Sequence, residues 1–118
     1  QQRWTQTPFQ EIIARQLTKP FPDLKSITIQ NTAELDMLWG TFFATGADWP
    51  IGKMIAILSL AQDGRGEEKM LGSAAVWSLG SNIKRHPRIL DICQKALANA
   101  EGTTKGIVGK IIKERRDL

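Results

Sequence analysis

The chain has 118 residues, of which 42% are hydrophobic and 24% charged, a composition that fits one globular domain spanning residues 1–118. Sixteen Lys and Arg against twelve Asp and Glu give a net charge of +4, which favours an ordinary soluble surface over a dedicated nucleic-acid or lipid surface. One cysteine excludes an internal disulfide and a cysteine-based zinc cage, and no apolar run approaches the roughly 18 residues of a membrane span.

The beginning of the chain predicts one helix. Residues 1–6 are polar apart from Trp4, and we expect them to be poorly ordered. Thr7 followed by Pro8 is typical of a helix start, with a capping residue and a proline in the first turn. This helix should end before Pro20, because the residue preceding a proline avoids the helical region. Its apolar face would consist of Phe9, Ile12, Ile13 and Leu17.

Residues 19–30 are the least helical stretch and contain two prolines. Polar and apolar residues alternate from Lys25 to Ile29, as they do in an edge strand. Because the chain offers no second strand, an extended connection that packs Leu24, Ile27 and Ile29 against helices is the better interpretation.

Two more helices are predicted before residue 62. Asn31 and Glu34 have the spacing of a capping box, and Gly46 is placed to end the helix in the left-handed conformation. A second helix should begin with Asp48 as N-cap and continue to Ala61. It is apolar on most sides, which is typical of a helix at the centre of a bundle.

Residues 71–93 predict a helical hairpin around which we expect the rest of the chain to pack. Small residues from Gly72 to Ala75 would let another helix approach closely, and the apolar face would be widened by Met70, Ala74 and Trp77. The pattern is interrupted at His86 and Pro87, after which a new apolar stripe begins. That stripe consists of Ile89, Ile92, Cys93, Ala96 and Leu97.

A last amphipathic helix carries an apolar side and a basic side. Within it, Gly102, Gly106 and Gly109 are expected to permit close packing. The apolar side has Ile107, Val108, Ile111 and Ile112, and the basic side has Lys105, Lys110, Lys113, Arg115 and Arg116.

The predicted fold class is therefore all-α, with about six helices in a compact bundle or in a short, repeat-like array of helical hairpins. The core should include Trp39, Phe42, Phe43, Ile55, Leu58, Leu71, Ala75, Leu79, Ile92 and Leu97.

Two segments, LDMLWGTFFATGADWP and AAVWSLGSNIKRHPRILDIC, resemble a pair of blocks in a family of small bacterial proteins. The blocks read LDxLWxxFFATG and WSLxSNxxxHP, and the resemblance covers about residues 35–93. It implies a bacterial, all-helical single domain. No activity is established for that family, so the resemblance assigns no functional residue.

The junction between the two helices of the hairpin is the candidate binding site, for an anion or a partner chain. Cations next to a helix N-terminus, where backbone N–H groups are unpaired, can hold an anion, although a solvated basic corner is the alternative interpretation. We expect Asn82 to cap the preceding helix and His86 to cap the helix that begins at Pro87. The candidate residues are Asn82, Lys84, Arg85, His86 and Arg88.

A catalytic interpretation of this junction is less favoured. Ser78 or Ser81 with His86 could form a hydrolase pair only if the imidazole reached a serine hydroxyl. A single histidine argues against a histidine-based metal site, and Cys93 lies on an apolar stripe, so a buried thiol is expected. We expect no metal and no cofactor.

The leading functional hypothesis is a non-enzymatic module for protein–protein interaction. The alternative is a binder of nucleic acid or another anion through the basic side of the last helix, which lacks aromatic residues for stacking bases. The chain begins with Gln1, so we expect an exported or periplasmic protein if a signal was removed and a cytoplasmic one otherwise.

Overall fold

The computed structural model describes residues 24–115, which form helices and no strand. The predicted helix over residues 7–19 and the polar residues 1–6 lie outside this part of the chain. The predicted all-α fold class is confirmed. The helices are α1 (Thr32–Thr45), α2 (Trp49–Ala56), α3 (Leu60–Asp63), α4 (Glu67–Asn82), α5 (Pro87–Asn99) and α6 (Gly102–Arg115).

Helix α1 begins and ends as its sequence predicts. The side chain of Asn31 accepts a hydrogen bond from the backbone N–H of Glu34 at 2.8 Å, and the Glu34 carboxylate accepts one from Gln30 N at 2.7 Å. Gly46 has φ 71°, and its N–H donates to the carbonyl of Phe42 at 2.8 Å. Asparagine capping and a left-handed glycine thus set both ends of the helix.

The predicted single helix over residues 48–61 is wrong in one respect, because it is divided into α2 and α3. Between them the backbone makes tighter i→i+3 hydrogen bonds, for example from Ile57 N to Met54 O at 3.1 Å and from Leu58 N to Ile55 O at 3.2 Å. Ile57 and Leu58, which lie in this turn, are both buried.

Helix α2 lies centrally, as predicted. It contacts α1, α5 and α6, and its Ile51 and Met54 side chains are fully buried. Asp48 occupies the N-cap position, where its carbonyl accepts from Ile51 N and Gly52 N, but its side chain makes no capping hydrogen bond. Helix α2 also contacts the segment that precedes α1, because Lys53 Nζ donates a hydrogen bond to the carbonyl of Ile27.

Residues 24–30, the described part of the predicted extended connection, contain no strand. Residues 24–27 form turns and a bend, residues 28–30 carry no regular structure, and Ile29 is buried in the core. Leu24 packs against the same core from the edge.

The packing of α3 against α4 depends on Gly72. A Cβ atom at this position would lie 2.2 Å from the backbone N of Ala61 and 2.6 Å from the carbonyl carbon of Leu60. The predicted close approach at the small residues is therefore confirmed, and α3 is the element that approaches.

By contrast, the expectation for the glycines of α6 is wrong: Gly106 has no neighbour within 4 Å of a Cβ, and Gly109 has only Leu97 Cδ1 at 3.8 Å.

The predicted organising hairpin is wrong. Helix α4 packs mainly against α3, α1 and α6, whereas α5 packs mainly against α6 and α2. The turn at residues 83–85 therefore connects two helices that share α6 as a neighbour but do not pack mainly against each other. The arrangement is a bundle around one core rather than a stack of hairpins.

Most predicted core residues are buried, with three differences of note. Phe43 is 53% exposed because it lies next to Phe42 at the edge of the apolar stripe of α1. Met70 and Trp77 do not widen the inner side of α4, since they are 68% and 74% exposed. Ile92 and Leu97 are only partly buried, at the edge of the core.

Candidate functional site

The predicted junction site begins at the end of α4. The carbonyl of Asn82 accepts hydrogen bonds from Arg85 N at 3.0 Å and from His86 N at 3.2 Å. Its side-chain amide donates to the carbonyl of Ser78 at 2.9 Å. Asn82 therefore closes the last turn of α4, as the sequence predicts, through both its backbone carbonyl and its side-chain amide.

His86 occupies the N-cap position of α5 with an extended backbone, φ −128° and ψ 97°. Its carbonyl accepts a hydrogen bond from Ile89 N at 2.9 Å, whereas its side chain makes no capping hydrogen bond. The imidazole instead packs at a tilt on Phe43, with ring centroids 5.2 Å apart, and meets the edge of Phe42 at 6.4 Å. The backbone part of the capping prediction is confirmed, and the ring holds the junction against α1.

The three cations of the junction differ in their surroundings. Arg88 donates to Asp48 Oδ1 from Nε at 2.8 Å and from Nη2 at 2.5 Å, which joins the first residues of α5 to those of α2. This ion pair is exposed, so its contribution to stability is small. Lys84 and Arg85 are exposed, and their side chains form no ion pair or hydrogen bond within residues 24–115.

The geometry gives the hydrolase hypothesis no support. Ser78 Oγ accepts a hydrogen bond from Trp39 Nε1 at 3.0 Å and donates to the carbonyl of Ala75 at 3.2 Å. Ser81 lies about one turn further along α4 and is exposed. No hydrogen bond in the described part of the chain joins the His86 ring to either hydroxyl. Ser78 acts as a link between α1 and α4.

Among the described residues, the other side chains that could bind a metal or act as a nucleophile form no cluster. Within residues 24–115, no three potential ligands among His, Cys, Asp and Glu come together. Cys93 is buried, and this burial raises the pKa of its thiol to about 11, so the unreactive thiol is the dominant form near neutral pH. Over the same residues, no helix is long and apolar enough to cross a bilayer.

The feature that sequence reasoning missed is the side of α4 that faces solvent. From Met70 to Ile83 the chain contains no charged residue, although only one side of this helix is buried. Met70 and Trp77 lie seven residues apart, so they share one side of the helix. We call this surface the outer α4 face: the exposed Met70, Ser73, Trp77 and Ser81, with the half-buried Ala74 and Gly80 at its edges.

Helix α5 provides a comparison for the side chains that an exposed helix side of this protein carries. Its outward positions carry charged or amide side chains, and Asp91 and Lys95 form an i,i+4 ion pair at 3.2 Å. In α4, residues 70–82 instead carry only uncharged side chains on the exposed side, and Met70 and Trp77 are among them. Large apolar side chains grouped on an exposed surface are typical of interaction sites. The absence of charge between residues 70 and 83 was visible in the sequence, but only the structure shows which side faces solvent.

Charged residues occur at the two ends of the outer α4 face. Glu67 lies in the first turn of α4, and Lys84 lies in the turn that follows it. Both are exposed, and neither is ion-paired in the part of the chain that the structure describes. Glu67 thus lies at one end of the face and Lys84 at the other, and no charged residue lies between positions 70 and 83.

Comparisons of the chain with protein-family models, with curated proteins and with solved structures gave no significant match. The resemblance of residues 35–93 to a family of small bacterial proteins therefore stays a prediction.

Proposed function

We propose that this protein is a non-enzymatic interaction module that binds another protein chain on the outer α4 face. The observation that supports this proposal is the uncharged surface from Met70 to Ile83, on which Met70 and Trp77 extend into solvent. Large apolar side chains grouped on one surface are typical of protein-binding sites. Tryptophan is enriched at the energetic centres of such sites, because one side chain removes a large area from water.

The inner side of α4 holds this surface in place. Leu71, Ala75 and Leu79 are buried in the core, and the hydrogen bond from Trp39 to Ser78 joins the helix to α1. A surface carried by a helix that is already packed loses little conformational entropy when a partner binds. The outer α4 face is therefore suited to recognition without a preceding folding step.

The small residues on the face indicate the shape of the partner. Ser73 and Ala74 precede Trp77, and Gly80 and Ser81 follow it. Small side chains on either side of a large one form the grooves into which another helix can pack its side chains. An amphipathic helix lying along α4 is the partner that fits this surface best.

Site-specific photo-crosslinking in cells tests this proposal. A benzophenone amino acid replaces Lys69, which is exposed at the flank of the outer α4 face and leaves Trp77 intact. The matched control replaces Lys95, an exposed lysine on α5. We expect irradiation to join position 69, but not position 95, to a second polypeptide.

Three results would contradict the proposal. The first is the absence of any adduct from position 69, and the second is an equal yield from position 95. The third is a crosslink within the same chain, for example to residues 7–19, since the face would then be covered by the protein itself.

A further inference from the structure

We propose that the chain bound on the outer α4 face is a second copy of this protein, with the two α4 helices antiparallel about a two-fold axis. This inference rests on the proposed function, because it identifies the partner at the same surface. It follows from the order of large, small and charged residues along the face.

The sizes of the side chains match an antiparallel pair. A two-fold axis midway between Ala75 and Val76 places Trp77 of one copy opposite Ala74 of the other. The same axis places Met70 opposite Ser81. Each large side chain then meets a small one, in the self-complementary manner that a symmetric interface requires. A parallel pair in register would instead place Trp77 against Trp77 and leave a gap at the small residues.

The charges match the same axis. It brings Glu67 of one copy to the level of Lys84 of the other, at both ends of the contact. Within one chain these residues are seventeen positions apart, about 25 Å along a helix, so they cannot pair with each other there. A parallel pair would bring like charges together at both ends. Neither residue forms an ion pair within residues 24–115, and the antiparallel pair would supply each with a partner of opposite charge.

The expected affinity is modest. The α4 helix has 16 residues and is about 24 Å long, so a contact along it lies at the lower end of specific interfaces. We expect a weak dimer that dissociates on dilution. Such an equilibrium makes the association measurable by dilution of the full chain.

Sedimentation equilibrium of the full chain tests the proposal. We expect wild-type protein to form dimers, and Trp77→Ser to raise the Kd at least about tenfold. Ser73→Trp should weaken the dimer as well, because it fills the groove that receives Trp77. If Ser73→Trp strengthened association, the contact would be general apolar adhesion and the proposed pairing would be wrong.

Exchanging the charges of Glu67 and Lys84, at the two ends of the outer α4 face, tests whether the two helices are antiparallel. Glu67→Lys and Lys84→Glu should each raise the Kd several-fold, and the double variant should restore it, because attraction then returns at both ends. Glu68→Lys is the matched control: it changes the net charge as Glu67→Lys does but lies about 100° around the helix, and we expect no effect. A double variant weaker than either single one would overturn the antiparallel arrangement.

The two proposals can fail separately. A protein that stays monomeric at all concentrations, yet still crosslinks from position 69 to a different polypeptide, overturns the second-copy proposal and leaves the interaction module standing. A dimer that is indifferent to Trp77→Ser also overturns it, since the contact then uses another surface. Circular dichroism of every variant verifies that the helices are intact.

Discussion

Two residues for which the sequence suggested a chemical role, His86 and Ser78, have a packing role in the structure instead. His86 stands at a helix N-cap, but its ring contacts Phe43 and Phe42 while its backbone does the capping. Ser78, a candidate nucleophile in the sequence, is the acceptor for the indole N–H of Trp39. In both cases the partner is an aromatic residue of α1, about 40 positions away in the chain. Such long-range contacts leave no local signal in the sequence.

Cys93 is the residue for which the structure predicts a pH effect. Burial raises the pKa of its thiol from 9.0 to about 11, so the folded state keeps its proton at pH values where the unfolded state loses it. The stabilisation is fully present below about pH 9 and is lost as the pH rises towards 11. Its magnitude is on the order of 2 kcal/mol.

Urea unfolding of wild-type protein and Cys93→Ala between about pH 8 and pH 11 measures this effect. The variant should be less stable at the lower pH, because a buried side chain is shortened. The difference in free energy of unfolding should then narrow as the pH rises. Parallel curves over the whole range would show that the buried thiol does not titrate as described.

At the scale of single elements, the ends of helices could be predicted from the sequence, but the elements that each helix packs against could not. Asn31 and Gly46 set the ends of α1 through local contacts that a short stretch of sequence contains. By contrast, no proline lies between Ile51 and Ala61 to mark the division between α2 and α3 in the sequence. Likewise, α4 has large apolar residues on more than one side, so its periodicity could not show whether Trp77 faces the core or solvent.

The contact between α3 and α4 gives a sharp test of the packing. Gly72→Ala should lower the free energy of unfolding by about 3 kcal/mol, because the new Cβ would collide with backbone atoms of Leu60 and Ala61 rather than with a movable side chain. The measurement is chemical unfolding followed by circular dichroism.

Gly106→Ala is the matched control within α6. No atom lies within 4 Å of a Cβ at this position, and alanine favours the helix over glycine, so a gain of about 0.5–1 kcal/mol is expected. If both variants lost stability equally, the loss at Gly72 could not be attributed to the close approach of α3.

At the scale of the whole molecule, composition and periodicity predicted an all-α domain, because every apolar stretch long enough to judge repeats with the helical period. They did not predict which helices are neighbours, and the expected α4–α5 hairpin is replaced by separate contacts of the two helices. The outer α4 face is a consequence of that arrangement. Once α3 occupies the side of α4 at Gly72, Met70 and Trp77 are left on the surface.

The most direct test of the central claim follows Trp77 itself by fluorine NMR of the full chain labelled with 5-fluorotryptophan. The Trp77 resonance is assigned with Trp77→Phe, and the difference in its chemical shift between H₂O and D₂O reports its contact with solvent. In dilute protein we expect a large difference at Trp77 and a small one at the buried Trp39. As the concentration rises through the Kd of the dimer, the difference at Trp77 should shrink while that at Trp39 stays constant. A Trp77 resonance that remains equally sensitive to solvent at every concentration would contradict the claim that a second copy covers the outer α4 face.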